Sequence, residues 1–212
     1  TDPHPPSPHP SFAAERVRTV LCPESEIPPR YATRFPVHLG GNDIGLKLAG
    51  AGGDGAQTAA MLITRAAINE GFDATHIPSY GPESRGGTSY ADVRIAEHEV
   101  LSPAAASPHV LVAFNAPSLA KFGGSVLPGG VVIYDRSVIE STPSLSPGVR
   151  AIGIPCAGIA AELGRPVVKN IVALGALQEA TSLLPRETFL AGVHQALRER
   201  PAAVLPAWSE DD

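Results

Sequence analysis

The chain has 212 residues, 43% of them hydrophobic but only 5% aromatic, and a formal net charge of −5. That is enough for one domain with an appendage, whose core must be built from Ala, Val, Leu and Ile. The acidic balance argues against nucleic acid as the main partner, and no apolar run approaches the roughly 20 residues of a membrane span. No signal-peptide pattern opens the sequence, and Cys22 and Cys156 lie far apart with no Cys-x-x-Cys pair, so a reducing, cytoplasmic setting is expected. A cluster or structural zinc normally needs about four ligands, so no iron–sulfur cluster or metal is expected on this chain. His4 and His9 sit in a Pro-rich stretch without carboxylate or cysteine beside them and read as solvated.

Residues 1–43 differ from the rest. Pro3, Pro5, Pro6, Pro8, Pro10, Pro28 and Pro29 forbid long helices and favour extended backbone. Val20, Leu21, Ile27, Tyr31, Phe35 and Val37 are scattered among them as apolar anchors. An extended N-terminal arm cannot bury such anchors in itself, so it is expected to dock on a partner subunit. For residues 1–12 disorder is the competing expectation.

From Ile44 the pattern becomes regular. A strand over Gly45–Gly50 runs into the cluster Gly50-Ala51-Gly52-Gly53-Asp54-Gly55. A helix is expected from about Ala56 to Glu70, stopped by Gly71, with Ala59, Leu62, Ile63, Ala66 and Ala67 on one face. Strands follow at 73–78, 88–96, 109–115, 130–135 and 149–155, and helices at 116–122, 157–163, 168–184 and 186–199. This alternation predicts an α/β, Rossmann-like domain over residues 44–205, a mostly parallel sheet with helices on both faces. Residues 206–212 read as an acidic tail.

In such a sheet ligands bind beyond the carboxyl ends of the strands, near the first strand–helix turn. Here that turn is the glycine cluster, where bare backbone can approach a ligand and the next helix offers its N–H groups to an anion. Gly50, Gly52 and Gly55 match Gly-x-Gly-x-x-Gly, but the same glycines also suit a tight turn and close helix packing. A dinucleotide is disfavoured, because Ile77-Pro78-Ser79 stands where a ribose-binding acid belongs. Asp54 also places a carboxylate where a pyrophosphate would sit.

The stretch Tyr80-Gly-Pro-Glu-Ser-Arg-Gly-Gly-Thr-Ser89, at this distance from Gly50-Ala-Gly-Gly-Asp-Gly-Ala56, resembles the gamma family of 2-oxoacid:ferredoxin oxidoreductases. Phe114-Asn-Ala-Pro-Ser-Leu119 and Asn170-Ile-Val-Ala-Leu-Gly-Ala-Leu177 are similar to further parts of that family, and the likeness spans roughly residues 45–195. Asp54 stands where many separate gamma subunits carry Gln and looks instead like the fused single-chain pyruvate enzymes. Met61 stands near a position where those enzymes often have Lys, and the Pro-rich arm is outside the family pattern.

The resemblance implies oxidative decarboxylation of a 2-oxo acid with coenzyme A (CoA), giving acyl-CoA, carbon dioxide and a reduced acceptor. It puts thiamine diphosphate, Mg and [4Fe-4S] clusters on partner subunits, with ferredoxin or an NAD-linked acceptor reached through them. The gamma part is implied to engage CoA without redox centres of its own. The expected contacts are Gly52, Gly53, Asp54, Gly55, Ala56, Gln57, Thr58, Ser84, Arg85, Gly86, Gly87, Thr88 and Asn115. Arg85 is the cation expected to offset Asp54 and pair with phosphate, and Gln57 and Thr58 are expected donors at the helix start. Asn115 suits the ligand edge and equally a turn before Pro117. No catalytic constellation is visible, so the isolated chain is expected to be inactive. Two other readings stay open: a purely structural subunit with no ligand, and a stand-alone dinucleotide-binding oxidoreductase.

Overall fold

The computed structural model describes residue 35 and residues 41–80, 87–141 and 143–198. The chain divides into two compact units, Thr1–Arg30 and Tyr31–Asp212, and every described residue belongs to the second. Six strands form one sheet: β1 (Asp43–Ala51), β2 (Asp73–Tyr80), β3 (Thr88–Ala96), β4 (Val110–Ala113), β5 (Val131–Asp135) and β6 (Arg150–Ile154). Five helices accompany them: α1 (Ala56–Glu70), α2 (Ala116–Phe122), α3 (Cys156–Glu162), α4 (Lys169–Thr181) and α5 (Arg186–Arg198). These are the elements expected from the alternating pattern, and the sheet is dominated by parallel pairing.

The strand order is β2-β3-β1-β4-β5-β6. β1, β4, β5 and β6 pair in parallel, whereas β3 runs antiparallel to both β1 and β2. The cause is the connection over residues 81–87, which is shorter than the dozen or so residues a parallel crossover needs. β1 is buried on both faces, as befits a central strand, while β3 alternates buried Ala91, Val93 and Ile95 with half-buried Tyr90, Asp92 and Arg94.

On one face Ile44, Leu46 and Leu48 of β1 pack with Leu62, Ile63 and Ala66 of α1, Leu174 and Leu177 of α4 and Phe189 of α5. On the other, Leu111, Ala113, Val132 and Tyr134 cluster with Leu119 of α2 and with Ile139. Each fully buried Leu, Ile or Val contributes roughly 1.5–3 kcal/mol, so an aliphatic core suffices despite the few aromatics. Lys47 of β1 also lies in the sheet interior, ion-paired to Asp92 with its ammonium 4.8 Å from the Tyr90 ring centroid. A partner this close is what makes a buried lysine tolerable.

Several boundaries shift by one or two residues from the sequence reading, the end of α4 shifts by three, and one packing partner differs. α4 stops at Thr181, because Ser182 takes φ 47° and Leu183 and Leu184 turn into the core. Gln178 holds that turn by hydrogen bonds with the backbone of Leu184. The strand at 73–78 extends to Tyr80, carried by its ladder with β3. Phe35, expected on a neighbour's surface, is instead buried in the chain's own core. It stacks on Phe72 with centroids 4.5 Å apart, and its N–H donates to Glu97 Oε1 at 2.6 Å. The remaining apolar anchors of the arm and the acidic tail lie outside the described residues. No described helix is long and apolar enough to cross a membrane.

Candidate functional site

β1 leads through α1 to β2 on one side of the sheet, while its parallel neighbour β4 leads through α2 to β5 on the other. The carboxyl ends of β1 and β4 therefore flank a topological switch point, where open α/β sheets form their ligand crevice. The glycine turn after β1 and Asn115 after β4 both fall there.

The turn is shaped from within. Asp54 folds back so that its Oδ2 accepts the Ala51 N–H at 2.6 Å, and the Asp54 N–H donates to Ala51 O at 3.0 Å. This return fits only over a glycine: a Cβ on Gly50 would lie 2.7 Å from Asp54 Oδ2. Gly55 then starts α1 with φ 83°, and a Cβ there would come within 2.8 Å of Asn170 Nδ2. The first intrahelical bond of α1 is Ala59 N–H to Gly55 O at 2.9 Å. The N–H groups of Ala56, Gln57 and Thr58 precede it, and no side chain among the described residues caps the helix. A helix beginning this way presents a partial positive charge to whatever lies in front of it.

In front lies a cleft of about 350 Å³. Gly52, Gly53, Gly55, Ala56, Gln57 and Thr58, all expected at the site, line it together. Tyr80 and Val167 also border it, 70% and 66% exposed, and give it two apolar walls. Asp54 does not line the cleft, since its carboxylate is turned behind the loop.

The Asp54 charge is met there by a residue the sequence reading passed over. Lys169 Nζ, on the first residue of α4, donates to Asp54 Oδ1 at 2.6 Å. Asn115 joins the same node, donating from Nδ2 to Asp54 Oδ2 at 3.4 Å while its Oδ1 caps α2 at the Ser118 N–H, 2.9 Å away. One signal for Lys169 existed in the sequence: a cation in the first turn of a helix opposes the helix dipole and calls for a specific partner.

Gln57 has partners other than those expected. Its Nε2 donates to Tyr90 O at 2.8 Å, Ser89 Oγ at 3.1 Å and Ser79 O at 3.3 Å, and its Oε1 meets His76 Nε2 at 3.3 Å. Burial lowers the pKa of His76, which favours its neutral form. Its Nε2–H tautomer can then donate to Gln57 Oε1. The Gln57 side chain thus ties α1 to β2 and β3, leaving its backbone N–H as the group at the helix start. Gly87 and Thr88 flank the glycine turn without lining the cleft: Gly87 O accepts the Gly52 N–H at 3.2 Å, and Thr88 pairs with Ala51. Ser84, Arg85 and Gly86 lie outside the described residues.

Other chemistry is sparse. Among the described residues no three His, Cys, Asp or Glu side chains stand together as a metal would need. Cys156 is a free thiol, buried and pushed up to about 12, first by burial and then by the nearby Asp135 charge. It stays protonated at neutral pH and is neither nucleophile nor ligand there. A second cavity, of about 570 Å³, lies at the opposite edge of the sheet between Phe72, Leu183, Pro185 and Phe189. It is larger than the cleft but stands away from the switch point.

The model of a family described as pyruvate ferredoxin/flavodoxin oxidoreductase matches residues 45–207. Ketoisovalerate oxidoreductase subunit VorA of Methanothermobacter marburgensis is 42% identical over 135 residues, covering 64% of this chain and 28% of VorA. 2-Oxoglutarate synthase subunit KorC of Methanocaldococcus jannaschii is 33% identical over 145 residues, covering 68% of this chain and 78% of KorC. The chain therefore spans under a third of VorA but most of KorC. Among solved structures, the gamma subunit of a keto/oxoacid ferredoxin oxidoreductase from Geobacter sulfurreducens aligns with a TM-score of 0.63 and 28% identity, covering 76% of this chain and 88% of that one. The 2-oxoglutarate:ferredoxin oxidoreductase of Magnetococcus marinus, solved with 2-oxoglutarate, coenzyme A and succinyl-CoA bound, aligns with a TM-score of 0.68. It is 24% identical, covering 77% of this chain and 28% of that one, and shares the fold.

Proposed function

We infer what this chain does from one premise: it belongs to the pyruvate ferredoxin/flavodoxin oxidoreductase family. The chain acts as the gamma-type subunit of a 2-oxoacid:acceptor oxidoreductase and contributes the CoA contact of that complex. The overall reaction converts a 2-oxo acid and CoA to acyl-CoA and carbon dioxide, and the acceptor takes up two electrons. Thiamine diphosphate and iron–sulfur clusters, carried by partner subunits, supply the decarboxylation and electron-transfer chemistry. CoA supplies the thiol that takes the acyl group.

The observation that supports a CoA contact is the glycine turn at the switch point. Its backbone is bare at Gly52 and Gly53, the N–H groups of Ala56, Gln57 and Thr58 follow it, and the one carboxylate in the turn is paired with Lys169. Such a surface can hold a phosphate through backbone donors, with Tyr80 and Val167 beside it for the apolar part of the ligand. The Magnetococcus marinus enzyme of this fold was solved with CoA bound, which makes CoA the first ligand to test. A nicotinamide dinucleotide fits less well, because β2 ends in Ile77, Pro78, Ser79 and Tyr80 and offers no carboxylate for a ribose.

Isothermal titration of the full chain with CoA, against NAD as a control, tests this reading. Saturable binding of CoA but not of NAD is expected. Binding of neither, or of NAD in preference, would overturn it.

A further inference from the structure

Asp54 and Lys169 are 115 positions apart, yet their side chains meet at 2.6 Å behind the glycine turn, with side-chain exposures of 18% and 23%. The carboxylate shapes the chain locally, since its Oδ2 accepts the Ala51 N–H and fixes the return of the turn. The same fold-back brings a negative charge to the rear of a surface whose front is suited to an anion. Left alone, the charge would cancel much of the field of α1.

Lys169 is placed to remove that conflict. It opens α4, where the helix dipole disfavours a cation, so its position is explained by its partner and not by its own helix. Its neighbours Val167 and Asn170 both border the cleft, while its own ammonium turns to Asp54. Asn115 also touches Asp54, but a neutral amide shifts no charge.

We propose that Lys169 is a positioning residue for anion recognition: by neutralising Asp54 it lets the turn keep its shape without repelling phosphate. The role rests on the reading that the turn holds CoA, and it assigns Lys169 no contact with the ligand. The pair sets how tightly the turn binds a phosphate, and the helix N–H groups set where it binds.

The test is isothermal titration of the full chain with CoA, using the wild type and four variants. One unit charge left within a few ångströms of the anion at a partly exposed site should weaken binding about ten-fold in Lys169→Met. Lys169→Arg should stay within about three-fold of wild type, since it keeps the charge. In Asp54→Asn the amide oxygen can still accept the Ala51 N–H, and the uncompensated Lys169 should tighten binding several-fold. That gain cannot arise from a poorly folded protein. The double variant Lys169→Met with Asp54→Asn should return to within about three-fold of wild type, because no net charge remains behind the turn. A wild type that binds CoA while Lys169→Met binds equally well overturns the proposal and leaves the CoA reading standing. So does a double variant as weak as Lys169→Met, which would make Lys169 structural. A wild type that binds no CoA overturns the CoA reading itself, and the role of Lys169 with it.

Discussion

The two edges of the sheet carry cavities built in different ways. At the carboxyl edge, a cleft of about 350 Å³ is bordered by bare backbone and backed by a network of Asp54, Lys169, Asn115 and Ala51. At the amino edge, a cavity of about 570 Å³ lies between the side chains of Phe72, Leu183, Pro185 and Phe189 and those of Gln178, Glu179 and Arg186, beside the Phe35–Phe72 stack. Size favours the second and chemistry the first. The larger space lies at the ends of α1 and α4, between core side chains such as Phe72 and Phe189 and a polar rim of Gln178, Glu179 and Arg186. In the smaller one Gly50 and Gly55 are each forced by a neighbouring polar side chain, so that its form depends on charge as well as volume.

Substitutions at the two edges should therefore separate stability from ligand affinity. Phe72→Ala should cost the most stability, about 3–5 kcal/mol in urea unfolding, because it removes a buried ring and strands Phe35. CoA affinity of the folded fraction should stay within about two-fold of wild type, and a parallel fall in affinity would show that the edges are coupled. Gly55→Ala should cost less stability, about 2 kcal/mol, from its positive φ and the approach of Asn170. It should nevertheless weaken CoA binding at least ten-fold by displacing the start of α1; retained affinity would break the assignment of the cleft. Gly175→Ala has the smallest effect and the opposite sign. A Cβ there meets nothing within 4 Å, and α4 is helical around it, so stability should rise by roughly 0.5–1 kcal/mol with affinity unchanged.

What the sequence made legible follows the range of the interactions. α1 shows both its apolar face and its stop at Gly71, because period and cap are local, and the glycine turn is read from adjacent residues. Asn115 is singled out because a strand end followed by Pro117 suits both a ligand edge and a turn, and in the structure it caps α2. Lys169 is not found, because its partner is 115 residues away and becomes a neighbour only once α4 packs beside α1. The Gln57 side chain is misjudged for the same reason: its partners on β2 and β3 exist only after the antiparallel ladder forms. Phe35 lies among prolines and looks like an anchor for another subunit, since nothing near it in sequence reveals the ring of Phe72.

The reversed direction of β3 bears on how the sheet holds together. β1 and β2 are consecutive strands pointing the same way, yet they never pair; β3 fills the space between them, with nine register pairs on one side and eight on the other. α1 carries the chain from β1 to a place one strand away, where β2 takes its ladder from β3 alone among the described strands. β3 in turn is joined to the parallel strands through β1. The outer two strands are thus hinged on one ladder, and a substitution that loosens β3 from β1 should release both together, and with them one wall of the carboxyl edge.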